Sequence, residues 1–248
     1  MILAIIQARM GSSRLPNKVL MDINGKPNLW HLYHRLSHAK KVDKVIVATS
    51  DDPNCDPVES FCHEHGIGCY RGSEDDLLDR LYQAAKAYGA DSVVRVTGDC
   101  PLVDPQVTDK VISCYESGDF DYVSNNQMQT FPHGLDVEIF SFKALEKAWE
   151  TVKDPEMRAL GPFCLYHKHS TNKIGNVTYP KKLLHIRITL DYEEDLQLIR
   201  EIFGRLSKKK DVFLLDDILQ LLKEHPGLNA INDKWKSHHR LKDAEKFL

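Results

Sequence analysis

Short apolar runs and helical repeats alternate from the second residue onward, and this alternation leaves the chain few architectures. Residues 2–7 (Ile-Leu-Ala-Ile-Ile-Gln) form an apolar run suited to a strand buried on both faces. A helix is predicted over 27–39, with Pro27 near its first turn, then a strand over 44–49 and a helix over 56–65 that stops at Gly66. A short strand is expected at 68–70. Leu77, Leu78, Leu81, Ala84, Ala85 and Tyr88 then recur at helical spacing, with Asp75 and Asp76 in the first turn and Gly89 at the end. A strand over 92–97 follows, and Val107, Val111, Ile112 and Tyr115 mark a helix after Pro105. This order predicts a mainly parallel sheet with helices on both faces and right-handed crossovers.

After Asp121 the pattern changes. Strands are expected at 121–125, 135–141 and 184–190, around a helical region at 142–168, which suits a mixed sheet or a small flap insertion. Helices are predicted at 192–206 and 212–224, before a polar tail carrying Trp235 and Phe247.

Composition narrows the partners. The net charge of −3 lacks the basic excess of a nucleic-acid-binding face. The run Lys208–Lys210 reads as a solvated helix end. The N-terminal apolar run has no basic segment before it and is too short for a signal peptide, and no stretch is long enough to span a membrane. The 6 cysteines have no paired short spacing and read as reduced thiols of a cytoplasmic protein. Cys55, Cys62, His63, His65 and Cys69 lack the Cys-x-x-Cys knuckle of a zinc site.

Directly after the first strand comes Gln7-Ala-Arg-Met-Gly-Ser-Ser-Arg-Leu-Pro-Asn-Lys18. Open α/β sheets bind ligands at the carboxyl ends of their strands, where this segment falls. Gly11, Ser12 and Ser13 give a small backbone that can approach phosphates, and Arg9, Arg14 and Lys18 supply cations. The spacing is neither that of a P-loop nor that of a dinucleotide fingerprint. A second pattern, Arg-x-Thr-x-Asp, occurs at Arg95–Asp99 and again at Arg187–Asp191. On strands its three polar residues would share one face and deliver each aspartate near a strand end. Two such carboxylates can hold Mg²⁺, a hard ion that shares oxygen ligands with phosphate.

These segments resemble the cytidylyltransferases that make CMP-activated sugars, which carry an Ala-Arg-x-x-Ser-x-Arg-x-Pro-x-Lys signature. The resemblance is to the SpsF-like branch, named for spore coat polysaccharide synthesis, and runs from Gln7 to Leu20 except at Asn17. It continues through Asp22–Pro27, Arg71–Arg80, Thr97–Leu102, Gly134–Glu138 and Leu190–Leu196. It implies a Rossmann-like fold of the nucleotide-diphospho-sugar transferase type in one domain, 1–248. Residues 1–120 would be the nucleotide-binding half, 121–190 the acceptor or dimerisation half, and 191–248 the C-terminal helices. Members are often dimers.

The resemblance also implies roles. Asp99 and Asp191 would bind magnesium, and Arg9, Arg14 and Lys18 would grip the triphosphate of CTP beside them. The nucleotide would lie along Ala8, Arg9, Met10, Gly11, Ser12 and Ser13, near Arg71, Gly72 and Ser73, and by Thr97 and Gly98. The expected reaction moves CMP from CTP to a sugar-acid-like acceptor with release of pyrophosphate. A metal-bound water or a nearby carboxylate such as Asp136 is a candidate for taking the acceptor's proton. Arg187 and Arg158 are candidates for meeting its carboxylate, with a structural pairing of Arg187 to Asp191 the other reading.

Three departures stand out. Asn17 replaces a glycine, which implies a less pliable loop. His133 stands where the branch often has Asp, and Arg158-Ala159-Leu160 where it often has Arg-Glu-His, which leaves the acceptor open. Rival readings are a nucleotide-sugar-dependent glycosyltransferase, with Asp119-Phe-Asp121 as its metal motif, and a non-catalytic nucleotide-binding protein.

Overall fold

The protein is described by a computed structural model covering residues 1–236; Phe247 lies outside the described residues. Strand β1 (Ile2–Gln7) leads through a single helical turn at Lys18–Leu20 into a minimal hairpin, β2 (Asp22–Ile23) and β3 (Lys26–Pro27), and then α1 (Asn28–Leu36). Next come β4 (Lys44–Ser50), α2 (Asp56–Glu64), β5 (Gly68–Gly72), α3 (Leu77–Ala87), β6 (Ser92–Thr97) and α4 (Pro105–Ser117). The second half contains β7 (Tyr122–Ser124), β8 (Glu138–Ser141), α5 (Phe142–Thr151), α6 (Pro155–Ala159) and β9 (Ile174–Asn176). It ends in α7 (Glu193–Leu206), α8 (Leu215–Glu224) and α9 (Pro226–Ala230).

The main sheet has 7 strands in the order β5-β4-β1-β6-β8-β7-β9. Strands β5, β4, β1 and β6 run parallel, β8 is antiparallel to both neighbours, and β9 pairs parallel with β7. Side-chain alternation along β1 divides the core. Ala4 and Ile6 pack with Leu29, Leu32 and Leu36 of α1, Val58 and Phe61 of α2, and Val111 and Ile112 of α4. Leu3 and Ile5 pack on the other face with Leu78 and Leu81 of α3 and Leu145 of α5. Burying one such leucine contributes about 1.5–3 kcal/mol. The parallel half and the mixed second half therefore match the expected class.

A third apolar cluster joins Leu183, Ile186, Ile188 and Leu190 to Leu198, Ile199 and Ile202 of α7 and to Ile218, Leu221 and Leu222 of α8. It corrects the expectation for 184–190. Among the described residues this segment forms no ladder, and its one isolated bridge is His133 to Arg187. Its backbone groups go singly to loops instead. Ile186 O accepts from His133 N at 3.2 Å, Ile188 N donates to His133 O at 2.8 Å, and Leu190 N donates to Asp99 O at 2.8 Å. The apolar alternation that suggested a strand instead packs the segment on α7 and α8. The strand β9, unforeseen in the sequence, takes the sheet edge.

Gly134 permits this packing. Its φ is +111°, and a Cβ there would lie 2.5 Å from Thr189 N and 2.6 Å from Ile188 C. Among the described residues, no helix is long and apolar enough to cross a membrane.

Candidate active site

The loop after β1 is fixed at its far end by burial. Leu15 enters the cluster beneath α7, while Val19 enters the one beneath α1. Between them Asn17 takes φ 60° and ψ 15°, the left-handed conformation that glycine adopts freely and asparagine tolerates better than most residues. The substitution at this position thus keeps the backbone course that a glycine would allow. Within the loop, Ser12 N donates to Met10 O at 2.8 Å and Leu15 N to the Ser12 hydroxyl at 3.3 Å. Ala8 is buried, whereas Gly11 and Ser13 face solvent.

This anchoring directs Lys18 inward. Its Nζ lies 2.7 Å from Asp191 Oδ1, 3.3 Å from Asp99 Oδ2 and 2.9 Å from Leu190 O. Arg14 reaches the same Asp191 Oδ1 at 2.7 Å. Asp99 and Asp191 are only 7% and 3% exposed, so solvent cannot screen the pair and the cations must balance it. Burial and the neighbouring Asp99 both push the Asp191 carboxyl up, but Lys18 and Arg14 outweigh them and hold it below its ordinary value.

Asp99 sits just beyond β6, not within it. The Thr97 hydroxyl donates to its carboxylate, while the Thr189 hydroxyl (3.0 Å) and Leu190 N (2.8 Å) donate to its carbonyl. Gly98 lets this turn lie against β1, since a Cβ would stand 3.0 Å from Gln7 O. Arg187 is 2% exposed and binds Asp191 Oδ2 and Asp195 Oδ2, each at 3.0 Å. It is thereby placed as the structural partner of Asp191. Asp99 and Asp191 share one ammonium, and carboxylate oxygen is the donor type that suits a hard divalent cation, so the residues present fit magnesium.

The other expected residues make the following contacts. Arg71 binds Ser50 O at 3.1 Å, Asp52 O at 3.0 Å and Glu59 at 2.7 Å, which ties β5 to the start of α2. Gly72 O accepts from Asp51 N at 2.8 Å, and the Ser73 hydroxyl accepts from Asp76 N at 3.0 Å, ahead of α3. Arg158 binds Asp76 at 2.6 Å and the carbonyls of Trp149 and Val152, so it joins α6 to α3 and α5. Arg9 pairs with Glu74 at 2.5 Å. Asp136 is half-buried and accepts from Gly134 N at 3.4 Å. The Asp119 and Asp121 pair of the glycosyltransferase reading binds Lys173 beside β9.

Sequence reasoning missed several members of this region. Asn28 is buried and donates to Lys18 O at 3.1 Å and Gly98 O at 2.8 Å, linking the basic loop to the Asp99 turn. Asp195, fully buried, receives Asp191 N at 3.0 Å and Tyr192 N at 3.1 Å. Its place three residues after Tyr192 is the spacing of a helix cap, a signal present in the sequence. Asn232 gave no local signal.

A cationic loop and a buried carboxylate pair at the carboxyl ends of a mainly parallel sheet define a nucleotidyltransferase. Residues 3–222 match the family described as cytidylyltransferase. The chain belongs to the cytidylyltransferase family. It is 30% identical to the spore coat polysaccharide biosynthesis protein SpsF of Bacillus subtilis, over 91% of this chain and 95% of that protein. It is 39% identical to 3-deoxy-manno-octulosonate cytidylyltransferase of Geobacter sulfurreducens over 112 residues, 45% of this chain and 44% of that one. Among solved structures, a cytidylyltransferase from Leptospira borgpetersenii superposes with a TM-score of 0.85 at 30% identity, covering 92% of this chain and 95% of that one.

Proposed function

We propose that this enzyme moves the cytidylyl group of CTP to a sugar acid or a related acceptor, with magnesium and with release of pyrophosphate, in the synthesis of a surface polysaccharide or glycoconjugate. The observation that carries the reading is Lys18 Nζ lying between Asp99 and Asp191 with Arg14 on the same carboxylate. Family membership supplies the base, since nothing in these contacts selects cytosine.

In the reaction an acceptor oxygen attacks the α-phosphorus, a bond forms between them, and the bond to pyrophosphate breaks. Asp99 and Asp191 would hold magnesium, which when bound supplies positive charge for the phosphate oxygens. Lys18 and Arg14 balance the carboxylates in the structure and turn to phosphate oxygens when the triphosphate enters. The loop backbone at Gly11, Ser12 and Ser13 approaches the same phosphates, and Asp136 takes the acceptor's proton. Arg187, held by Asp191 and Asp195, orients the carboxylate and does not meet the acceptor. Residues 121–190 are the acceptor half and the contact between two copies, and the enzyme works in the cytoplasm.

The test is a pyrophosphate-release screen of the four nucleoside triphosphates against sugar acids and polyols, with and without magnesium. Release confined to CTP, a sugar acid and magnesium is expected. Transfer from a nucleotide sugar without pyrophosphate would overturn the reading.

A further inference from the structure

The C-terminal segment after α8 reaches the groups that surround Asp191. Asn232 is fully buried, and its Nδ2 donates to Asp195 Oδ1 at 2.7 Å and to Arg187 O at 3.0 Å. Besides Lys18 and Arg14, Asp195 and Arg187 grip Asp191, through its backbone N–H and its Oδ2 respectively. Close by, the Trp235 ring stacks on Tyr192 with centroids 3.6 Å apart and planes 6° from parallel, while Trp235 Nε1 donates to Glu194 at 2.7 Å. The Arg14 guanidinium lies over the same Tyr192 ring, 5.6 Å from its centroid. Both contacts come from residues beyond 222, where the family match stops.

We infer that Asn232 and Trp235 are positioning residues of the active site: Asn232 sets the Asp191 carboxylate through Asp195 and Arg187, and Trp235 sets Arg14 through Tyr192. The inference rests on the proposed function, in which Asp191 holds magnesium and Arg14 meets the triphosphate. The physical argument is one of orientation. A carboxylate between two cations can rotate about its own bonds. Asp195 holds the Asp191 backbone, and Asn232 joins Arg187 Nε (3.0 Å) in fixing Asp195 Oδ1. Groups that hold metal ligands in this way affect metal affinity even though they never touch the ion. Tyr192 acts similarly as a plate: the Trp235 stack fixes its ring, over which Arg14 and Arg187 both lie.

The test compares full-length wild type with Asn232→Ala, Trp235→Ala, Trp235→Phe and Val111→Ala, the last a buried residue of α4 in a different apolar cluster. Mn²⁺ binding in the presence of CTP is followed by electron paramagnetic resonance, CTP binding by calorimetry, and folding by melting temperature. Asn232→Ala is expected to weaken Mn²⁺ binding about 10- to 100-fold. Trp235→Ala should weaken CTP binding by up to about 10-fold, with Trp235→Phe restoring it because the stack survives. Val111→Ala should lower the melting temperature and move neither affinity. Wild-type Mn²⁺ affinity in Asn232→Ala, or an equal loss in Val111→Ala, overturns the inference while leaving the functional reading intact. If Asn232→Ala does not fold, unchanged CTP affinity in Trp235→Ala overturns it instead. Failure of wild type to bind Mn²⁺ and CTP at all removes the functional reading and this inference together.

Discussion

Lys18 Nζ and Asp191 Oδ1 stand 2.7 Å apart although 173 residues separate them in the chain. The ammonium is the main counterweight to burial and to Asp99 at this carboxyl. Lys18→Met should therefore move the Asp191 carboxyl upward, as read by carbon NMR titration. It should also cut pyrophosphate release from CTP by about 100-fold or more. Lys18→Arg should not rescue, because a planar fork cannot replace a compact ammonium among three oxygens. An unmoved Asp191 titration would contradict the arrangement.

Asp99→Asn keeps the shape of the side chain and removes its charge. Its carbonyl still accepts from Thr189 and Leu190, so the turn should persist. The variant should melt within a few degrees of wild type and lose turnover by about 100-fold or more. Normal magnesium-dependent turnover would defeat the metal role of this residue.

Gly134→Ala combines a left-handed backbone with a methyl group 2.6 Å from Ile188 C. Strain and overlap should together cost about 2–4 kcal/mol, measured by urea unfolding. Because Ile188 leads into the Asp191 segment, CTP binding should weaken as well. A destabilisation below about 1 kcal/mol would show that the two segments can separate freely.

His31 supplies a pH dependence remote from the site. It lies against Phe203 with its Nε2 2.8 Å from Ile23 O, and burial pushes its imidazole below the ordinary value of 6.5, with Arg35 adding to the effect and the Ile23 bond opposing it. The folded state thus disfavours the proton that the unfolded chain accepts. Stability is full above pH 6.5 and declines as pH falls through and below it, by up to about 1.4 kcal/mol per pH unit. Denaturant melts of wild type and His31→Phe across pH 7.5–5.5 should differ in slope; identical slopes would rule this out.

The legible parts of the chain are those set by local pattern. The β1 run, the helical repeats of α3 and the basic loop all show in consecutive residues because burial on a two-faced sheet imposes a short period. The convergence of Arg14, Lys18, Asp99 and Asp191 was expected from paired motifs, and the geometry brings them together. Less legible was any feature decided by distant partners. The apolar run 184–190 has a strand's alternation, yet α7 and α8 take its side chains. The ion pairs of Arg71 with Glu59 and of Arg158 with Asp76 join residues 12 and 82 positions apart and leave no local pattern. Asn232 carries no sequence signature because its bonds go to residues 45 and 37 positions away.

The wide spacing of Lys18, Asp99 and Asp191 along the chain has a consequence for biogenesis. A ribosome that has made only the first half has displayed the basic loop and Asp99 without Asp191, the carboxylate that Lys18 and Arg14 share. Closing so long a loop is slow and comes late. The carboxylate pair therefore arises in one step, when the returning segment docks, and a chain that stops short of it offers the ammonium Asp99 alone.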